Sequence, residues 1–184
     1  MLSAHQMVTT PSAVTIVRVA VRPQDEVGIL AAVDAAFSDA TRDASEELAI
    51  VRATWAAKDA DQLVELVADD DGRVVAHALA APGSIDGVPT SVAGVAPVCV
   101  TPSHQQRGIG TAAMESLVVA ATSRGWPLLV LLGEPAYYSR FGFEQAGPLG
   151  LTYAPAGAGS PHFQARRLDH YDGPQRGSFT YCWE

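Results

Sequence analysis

The beginning of the chain shows one short β-type run followed by two helical stripes. Residues 14–21 are rich in β-branched side chains and predict a first strand, after a polar stretch over residues 1–13 that predicts a loose tail. Apolar positions then recur every three or four residues in two stretches behind Pro23, and they predict two helices with one buried face each. Asp43 and Glu46 have the spacing of a capping box at the start of the second helix.

The pattern changes to that of β-structure in the middle of the chain. Residues 62–68 and 73–80 are strand-like runs, joined by an Asp-Asp-Asp-Gly turn that is typical of a hairpin. A second turn over residues 82–89 leads to a third run, residues 92–100, which contains Pro97. Because proline cannot donate to a strand ladder, Pro97 predicts an edge, a bulge or a splay at this point.

A helix and a buried strand follow. Residues 108–123 carry an apolar stripe at helical spacing, and residues 127–132 are apolar without alternation, as expected of a strand covered on both faces. The order strand, helix, strand predicts a right-handed parallel crossover. No repeat or linker divides residues 14–184, which are therefore expected to form one domain. Beyond the crossover the pattern predicts a short helix, a long loop and two closing strands, at residues 135–141, 146–161, 163–168 and 178–183.

The composition supports a single core and argues against several function classes. Of 184 residues, 48% are hydrophobic and 17% are charged, which favours a folded domain over disorder. The net charge of −8 argues against a nucleic-acid partner, which needs a basic surface. The longest apolar run, residues 126–132, is far below the roughly 20 residues of a membrane span, and no secretory signal is visible. Cys99 and Cys182 form no disulfide framework, so a cytoplasmic setting is expected.

The segment with the clearest chemical content is residues 98–110. A strand ends there, a polar loop follows, and Gly108 and Gly110 open a helix. Glycine lets the backbone approach a ligand closely, and the free N–H groups of a first helical turn attract an anion. The segment therefore predicts a pyrophosphate site, to which Arg107 can add a charged contact.

Two nucleotide-binding motifs and a ligand-free helix are the alternatives for this segment. A P-loop is excluded because no Lys-Ser/Thr pair follows the glycines. Residues 108–113 match the dinucleotide fingerprint, with Glu134 lying 21 residues beyond them. That fold joins strand and glycine almost directly, whereas seven residues intervene here, and only about 50 residues follow Glu134, too few for a second half-sheet. A helix that glycines open but that binds no ligand is the third alternative.

Three motifs resemble those of the GNAT superfamily of N-acetyltransferases. The segment that resembles the family's acetyl-coenzyme A signature reads Val100-x-Pro102-x-x-Gln105-x-x-Gly108-Ile109-Gly110. The block that resembles the family's Tyr-x-x-x-Gly-Phe ending reads Tyr138-Ser139-Arg140-Phe141-Gly142-Phe143. A bacterial subgroup of predicted acetyltransferases carries Gly-[Asp/Glu]-Pro-Ala-Tyr-Tyr, and the similar segment here reads Gly133-Glu134-Pro135-Ala136-Tyr137-Tyr138. The resemblance covers about residues 14–143.

This resemblance implies a fold, a donor and a reaction. The fold is a single-domain α/β GNAT fold, with a mixed central sheet of about six or seven strands, flanking helices and a β-α-β crossover that holds the cofactor. The implied enzyme moves an acetyl group from acetyl-coenzyme A to the amine of a small molecule or peptide, by direct attack in a ternary complex. A longer acyl donor and a non-catalytic acyl-coenzyme A sensor stay open as alternatives. A homodimer is also compatible with the resemblance, because closing strands of the family often meet a partner.

The resemblance also implies individual roles. The N–H of Val98 would stabilise the oxyanion of the thioester, and Tyr138 would be the general acid for the departing thiolate. Tyr137 is expected to pack rather than react. An asparagine that many members carry ahead of the tyrosine is absent, as is a glutamate on the strand over residues 92–100. The residues expected to bind the cofactor are Val98, Cys99, Val100, Gln105, Gln106, Arg107, Gly108, Ile109, Gly110 and Thr111.

The general base is left open by the sequence. A lysine-like amine has a pKa of about 10.4 and must lose a proton before it attacks, so a base or a water relay is expected. The candidates are His77, Glu134, Glu65 and His104. No metal is predicted, because the late histidines and Cys182 lack the spacing of a metal site.

Overall fold

The structure, a computed structural model, describes residues 15–157, 159–173 and 175–184, so the tail predicted over residues 1–13 lies outside the described residues. The strands are β1 (Ile16–Val19), β2 (Val64–Asp70), β3 (Arg73–Ile85), β4 (Val88–Val100), β5 (Leu128–Leu132), β6 (Glu144–Gln145), β7 (Leu151–Thr152), β8 (Phe163–Arg167) and β9 (Gly177–Thr180). The helices are α1 (Glu26–Phe37), α2 (Ser45–Ala57), α3 (Ile109–Ser123) and α4 (Pro135–Tyr138). Over the described ranges, none of these helices has the length and apolar character needed to cross a membrane.

The strands form one mixed sheet. Seven of them stand in the order β1-β2-β3-β4-β5-β8-β6, and β9 adds to the far end of β3 and pairs in parallel with β7. Within the row of seven, only the β4–β5 pair is parallel, and α3 connects these two strands along the chain. The predicted mixed sheet and its β-α-β crossover are thus confirmed.

Two helical layers cover the opposite faces of the sheet. Leu66 of β2 packs with Met114 and Leu117 of α3. Its neighbour Val67 packs on the other face with Ile29 of α1 and with residues of α2. Successive side chains of a strand point to opposite faces, so a strand under both layers buries side chains at consecutive positions. This explains the continuous apolar run of β5 and the five consecutive buried residues of β2, of which Glu65 is charged.

β4 carries a bulge and then parts from β5. The pairing with β3 shows the bulge. Ala78 lies opposite Val98 and Ala80 lies opposite Val95, so a step of two residues along β3 corresponds to a step of three along β4. Pairing with β5 is confined to Ala93 and Gly94. Both outcomes, bulge and splay, agree with the expectation set by the proline in this strand.

The β3–β4 hairpin is longer than its sequence pattern predicts. The turn expected over residues 82–89 is reduced to Asp86 and Gly87, which both have positive φ values, 49° and 77°. Such a pair is the preferred two-residue hairpin turn, and Asp71 and Gly72 repeat it between β2 and β3. Prolines at both ends of the stretch hide the continuing strands from a pattern-based prediction.

Three further details of the prediction were wrong. The capping box does not form, because Ala44 is the N-cap residue of α2 and the Asp43 side chain accepts the Ser45 N–H, at 2.9 Å. The first helix begins at Glu26, one turn later than the proline suggests. The stretch read as one loop, residues 146–161, contains β7.

The core position of α3 yields a stability prediction. Leu117→Ala is expected to lower the free energy of unfolding by about 3 kcal/mol, because Leu117 is fully buried against the sheet and its loss leaves a cavity. Val119 lies on the same helix and is 65% exposed, so Val119→Ala is the control and should change stability by less than about 0.5 kcal/mol. Urea unfolding followed by circular dichroism measures both, and equal losses would contradict this orientation of α3.

Candidate functional site

A groove of about 510 Å³ opens where β4 has parted from β5. We name it the β4 groove. The end of β4 forms one wall, and the loop after β4, the start of α3 and the region of α4 form the others. Its lining consists of Val98, Cys99, Val100, His104, Gln105, Gln106, Gly108, Gly110, Thr111, Tyr137 and Arg140.

The start of α3 supplies an anion site in this groove. Gly108 has a φ of 81°, a conformation that side chains disfavour, and its carbonyl accepts the first intrahelical bond from Ala112 at 3.0 Å. The three N–H groups between them, of Ile109, Gly110 and Thr111, have no acceptor within the helix. Free N–H groups at the positive end of a helix fit a phosphate or pyrophosphate.

The loop between β4 and α3 is held in place by side-chain hydrogen bonds. The amide of Gln105 donates to the Val100 carbonyl at 3.1 Å. The ring of His104 bridges two elements, with Nε2 3.0 Å from Asp70 Oδ2 and Nδ1 3.0 Å from Thr101 Oγ1. Both ring nitrogens of His104 are thus engaged in fixing the loop, which leaves it poorly suited to act as a base.

A second cavity of about 510 Å³ lies on the other side of Val98. We name it the aromatic cavity, since five aromatic side chains line it. Val98 belongs to the linings of both the β4 groove and the aromatic cavity, so the two meet at this residue. The lining consists of Phe37, Glu46, Glu47, Ile50, Val95, Ala96, Pro97, Val98, Leu131, Leu132, Tyr138, Tyr153, Tyr181, Trp183 and Glu184.

The two adjacent tyrosines of α4 serve different cavities. Tyr138 lines the aromatic cavity, and its ring packs so closely on Gly133 that an added Cβ there would lie 2.3 Å from it. Tyr137 lines the β4 groove, with the Arg140 guanidinium 4.0 Å from its ring centre. The expectation that Tyr137 serves packing alone is therefore incomplete, because its side chain borders the groove.

Burial raises the pKa of Tyr138 to about 12, and the neighbouring Tyr137 adds to this shift. The physical cause is desolvation, which disfavours the charged phenolate. The hydroxyl is consequently protonated throughout the neutral range. It can donate a hydrogen bond, whereas giving up its proton is harder than for an exposed tyrosine.

Most of the residues predicted to bind the cofactor lie together. Eight of the ten line the β4 groove, including all three from the end of β4. Arg107 and Ile109 do not, because they line a neighbouring cavity with Thr15, Val17 and Asp70. Ile109 is also buried in the core, where its side chain anchors the start of α3.

Two of the candidate bases form a buried network under α2. Glu65 Oε1 accepts a hydrogen bond from the Trp55 indole at 2.8 Å and lies 2.9 Å from Nε2 of His77. The other carboxylate oxygen of Glu65 lies 3.5 Å from Arg22. His77 is fully buried, and neither it nor Glu65 lines either cavity. His77 Nδ1 is buried and has no hydrogen-bond partner among the described residues, so the network is not fully satisfied. Its position away from both cavities argues against a base in contact with substrate.

The structure also defines the surroundings of Glu134, the last of the candidate bases, and of Cys99. Glu134 is exposed at the start of α4, where its backbone carbonyl accepts the Tyr138 N–H and its side chain caps nothing. Burial raises the pKa of the Cys99 thiol to about 12, so this side chain is no nucleophile at neutral pH. In the ranges that the structure describes, no three His, Cys, Asp or Glu side chains are grouped to hold a metal ion.

The acidic side chains of the aromatic cavity were missed by the sequence reading. Glu46 and Glu47 come from α2 and Glu184 from the segment after β9. No motif links Glu184 to the two adjacent glutamates, which lie more than 130 residues earlier in the chain. Only the helical spacing of Glu47 with the buried Val51 could have indicated that it points inward.

A splayed strand, a glycine-opened helix and a parallel crossover define the class of protein. The chain belongs to the acetyltransferase (GNAT) domain family, whose model matches residues 18–146. An uncharacterized N-acetyltransferase, YhbS of Escherichia coli K12, is 32% identical over 100 residues. That match covers 54% of this chain and 59% of YhbS, so the chain spans well under two thirds of this curated relative.

Two solved structures extend the likeness to nearly the whole chain. The crystal structure of E. coli YhbS in complex with CoA has a TM-score of 0.79 and 28% identity, and the match covers 94% of this chain and 92% of that one. A GNAT acetyltransferase from Brucella melitensis in complex with acetyl-CoA has a TM-score of 0.76 and 29% identity, with coverage of 94% and 99%.

The close contact between Gly133 and Tyr138 generates a prediction. Gly133→Ala is expected to lower the free energy of unfolding by about 1–3 kcal/mol, because the new methyl group would overlap the tyrosine ring. Gly147→Ala is the control, since no atom lies within 4 Å of its added Cβ. Thermal unfolding of both variants checks this, and a Gly133→Ala protein as stable as the control would contradict the packing of Tyr138.

Proposed function

We propose that this protein transfers an acetyl group from acetyl-coenzyme A to an amine by direct attack in a ternary complex. The observation that carries the proposal is the meeting of two cavities at Val98. The β4 groove, with its helix N-terminus, suits the donor, and the aromatic cavity suits the acceptor. The complexes of the Brucella protein with acetyl-CoA and of YhbS with CoA support the choice of donor.

The reaction balances without a further reactant. The neutral nitrogen of the amine attacks the thioester carbonyl carbon, so that a C–N bond forms and the C–S bond breaks. The nitrogen releases one proton to solvent and the departing thiolate of coenzyme A takes one up. The products are an amide and free coenzyme A. A water relay suits the first proton transfer, because the residues predicted as bases are buried, engaged or exposed away from both cavities.

The end of β4 and the start of α3 would bind different parts of the donor. The backbone of Val98–Val100 would pair with the pantetheine arm, and the Val98 N–H would stabilise the oxyanion that develops as the amine attacks. The free N–H groups of Ile109, Gly110 and Thr111 would hold the pyrophosphate. Arg140, which lines the groove, adds a positive charge beside that site.

Tyr138 would act mainly by hydrogen bonding. Its pKa of about 12 exceeds that of a thiol, about 8.5, by roughly 3.5 units. Complete proton transfer from Tyr138 to the thiolate would then cost about 5 kcal/mol, so a hydrogen bond to the developing charge on sulfur is the larger contribution. The final proton would come from solvent.

Four finer features belong to the same proposal. The Gly-Glu-Pro-Ala-Tyr-Tyr segment places the chain in the corresponding bacterial subgroup, acetyl is the acyl group transferred, the setting is cytoplasmic, and two copies can associate. The cytoplasmic setting follows from the cysteine content, and the other three follow from the resemblance. Propionyl- and succinyl-coenzyme A are the donors to compare with acetyl-coenzyme A.

Tyr138→Phe tests the assigned role. The variant is expected to lose about 10²-fold in kcat while it retains its affinity for acetyl-coenzyme A, because only the hydrogen bond to sulfur is removed. Thiol release with a panel of amines measures kcat. Tyr171→Phe is the matched control, since Tyr171 lies outside both cavities, and its kcat should stay within about twofold.

The outcome for Tyr137→Phe distinguishes the two neighbours. A larger loss in kcat for Tyr137→Phe than for Tyr138→Phe would transfer the role to the tyrosine of the β4 groove. Binding of acetyl-coenzyme A without turnover of any amine would favour a sensor over an enzyme. Failure to bind acyl-coenzyme A would remove the proposal altogether.

The pKa of Tyr138 predicts the pH dependence. A raised pKa keeps the hydroxyl protonated to higher pH, so the ratio of wild-type to Tyr138→Phe kcat should be constant between pH 7 and about pH 10.5 and fall only toward pH 12. Taking the ratio cancels the effect of amine ionisation on kcat, because this effect is the same for both proteins. A fall centred near pH 10 would show an unshifted tyrosine and contradict its burial.

A further inference from the structure

The aromatic cavity holds charges that the proposed reaction does not use. Glu46, Glu47 and Glu184 line it, and no Lys, Arg or His side chain joins them among the residues placed by the structure. The acetyl transfer described above relies only on Val98 and Tyr138 from this lining. The three carboxylates therefore need an explanation of their own.

Glu47 presents an oxygen without a partner. The residue is 8% exposed, and its Oε1 is paired with the guanidinium of Arg42. Its Oε2 is buried and accepts no hydrogen bond from the described part of the chain. Burying a carboxylate oxygen without a hydrogen-bond donor costs free energy. A ligand in the cavity that donates a hydrogen bond to Oε2 would remove this cost.

Tyr181 presents a second such group. It is 5% exposed, and its hydroxyl is buried with no hydrogen-bond partner in the ranges described. The backbone N–H of Tyr181 and the hydroxyl of Tyr153 donate to the two oxygens of Glu184, at 2.9 and 2.7 Å. The exposed carboxylate of Glu184 is thus held in place by two neutral donors.

The aromatic rings favour the same kind of ligand as the carboxylates. Tyr181 stacks on Trp183 with 4.3 Å between ring centres, and Tyr153 meets Tyr181 edge-on at 5.1 Å. Aromatic faces attract cations, and they also pack against an aliphatic chain. Carboxylates and aromatic faces together select a ligand with positive charge and an apolar body.

We propose that the acceptor is a small aliphatic diamine, of which one amine reacts while the other stays charged in the aromatic cavity. This inference rests on the proposed function. The reacting nitrogen must be neutral to attack, so it cannot neutralise a carboxylate at the moment of transfer. A second ammonium group keeps its charge throughout, donates to Glu47 Oε2 and the Tyr181 hydroxyl oxygen, and lies against the aromatic faces.

The test compares diamines with monoamines of the same chain length. Purified protein with acetyl-coenzyme A is given α,ω-diaminoalkanes of three to six carbons or the corresponding n-alkylamines. The diamines are expected to have a kcat/KM higher by about 10- to 100-fold, the usual effect of a charge-assisted hydrogen bond. Glu47→Gln should remove this preference, measured as the ratio of the kcat/KM for a diamine to that for the monoamine of the same chain length.

Two further variants serve as controls for the interpretation of Glu47→Gln. Glu115→Gln makes the same chemical change at an exposed position of α3 outside both cavities, and it should keep the preference. Tyr181→Phe removes a hydroxyl that has no partner in the described protein, so it should fold normally and raise the KM for diamines about threefold to tenfold. It tests the cavity even where Glu47→Gln is unstable.

The outcomes separate the two proposals. Equal kcat/KM for diamines and monoamines in the wild type, or a preference that survives Glu47→Gln and Tyr181→Phe, would overturn the diamine proposal while acetyl transfer stands. Absence of turnover with every amine would instead refute the proposed acetyltransferase activity. Calorimetric titration of 1,4-diaminobutane into the protein with coenzyme A gives a readout without turnover, and absence of binding there would also overturn the diamine proposal.

Discussion

The parting of β4 from β5 after Gly94 is the constraint on which both cavities depend. Up to that point the two strands pair, and beyond it β4 keeps only β3 as a neighbour. Backbone groups at such an edge need hydrogen-bond partners, and an extended ligand with amide groups can provide them by adding as a strand. The pantetheine arm of coenzyme A carries two amides. A gap that would weaken an ordinary sheet is therefore suited to bind this donor.

The bulge next to Pro97 determines which side chains reach the groove. Val95 faces the α3 layer, and three positions further along a regular strand a side chain would point to the opposite face. The additional residue restores the phase, so Val98 also packs on the α3 side and Cys99 packs under α1 and α2. The bulge thus orients Val98 between the β4 groove and the aromatic cavity.

The two cavities differ in how well the sequence predicts them. The β4 groove is made mostly of backbone from one continuous stretch, and its requirements appear as glycines and a proline at fixed spacing, such as Gly108 and Gly110. The aromatic cavity is made of side chains from α1, α2, β4, β5, α4, the loop after β7 and the end of the chain. Glu46 illustrates the difficulty, because its spacing from Asp43 suggested a cap while the structure places it at the cavity.

The same distinction applies to the sheet. A strand under two helical layers shows a continuous apolar run, as β5 does, and the crossover follows from the order strand, helix, strand. The ends of β3 and β4 show no such run, because they extend beyond the helices and carry prolines. The short β6 and β7 have two residues each, too few for any periodicity, and they exist only because β8 and β9 offer an edge.

The location of charge, rather than its total, links the fold to the acceptor. The chain has 20 acidic and 12 basic residues, and most of them are exposed, where water and salt screen their fields. Of the three glutamates that line the aromatic cavity, Glu46 and Glu184 are exposed, whereas Glu47 is buried and paired with Arg42. The field of Glu47 is the least screened by water, because this side chain is buried. A cation that enters the cavity is attracted both by this field and by the ring faces. The net charge of −8 argues only against a nucleic-acid partner, whereas these three positions are the basis for proposing a cationic acceptor.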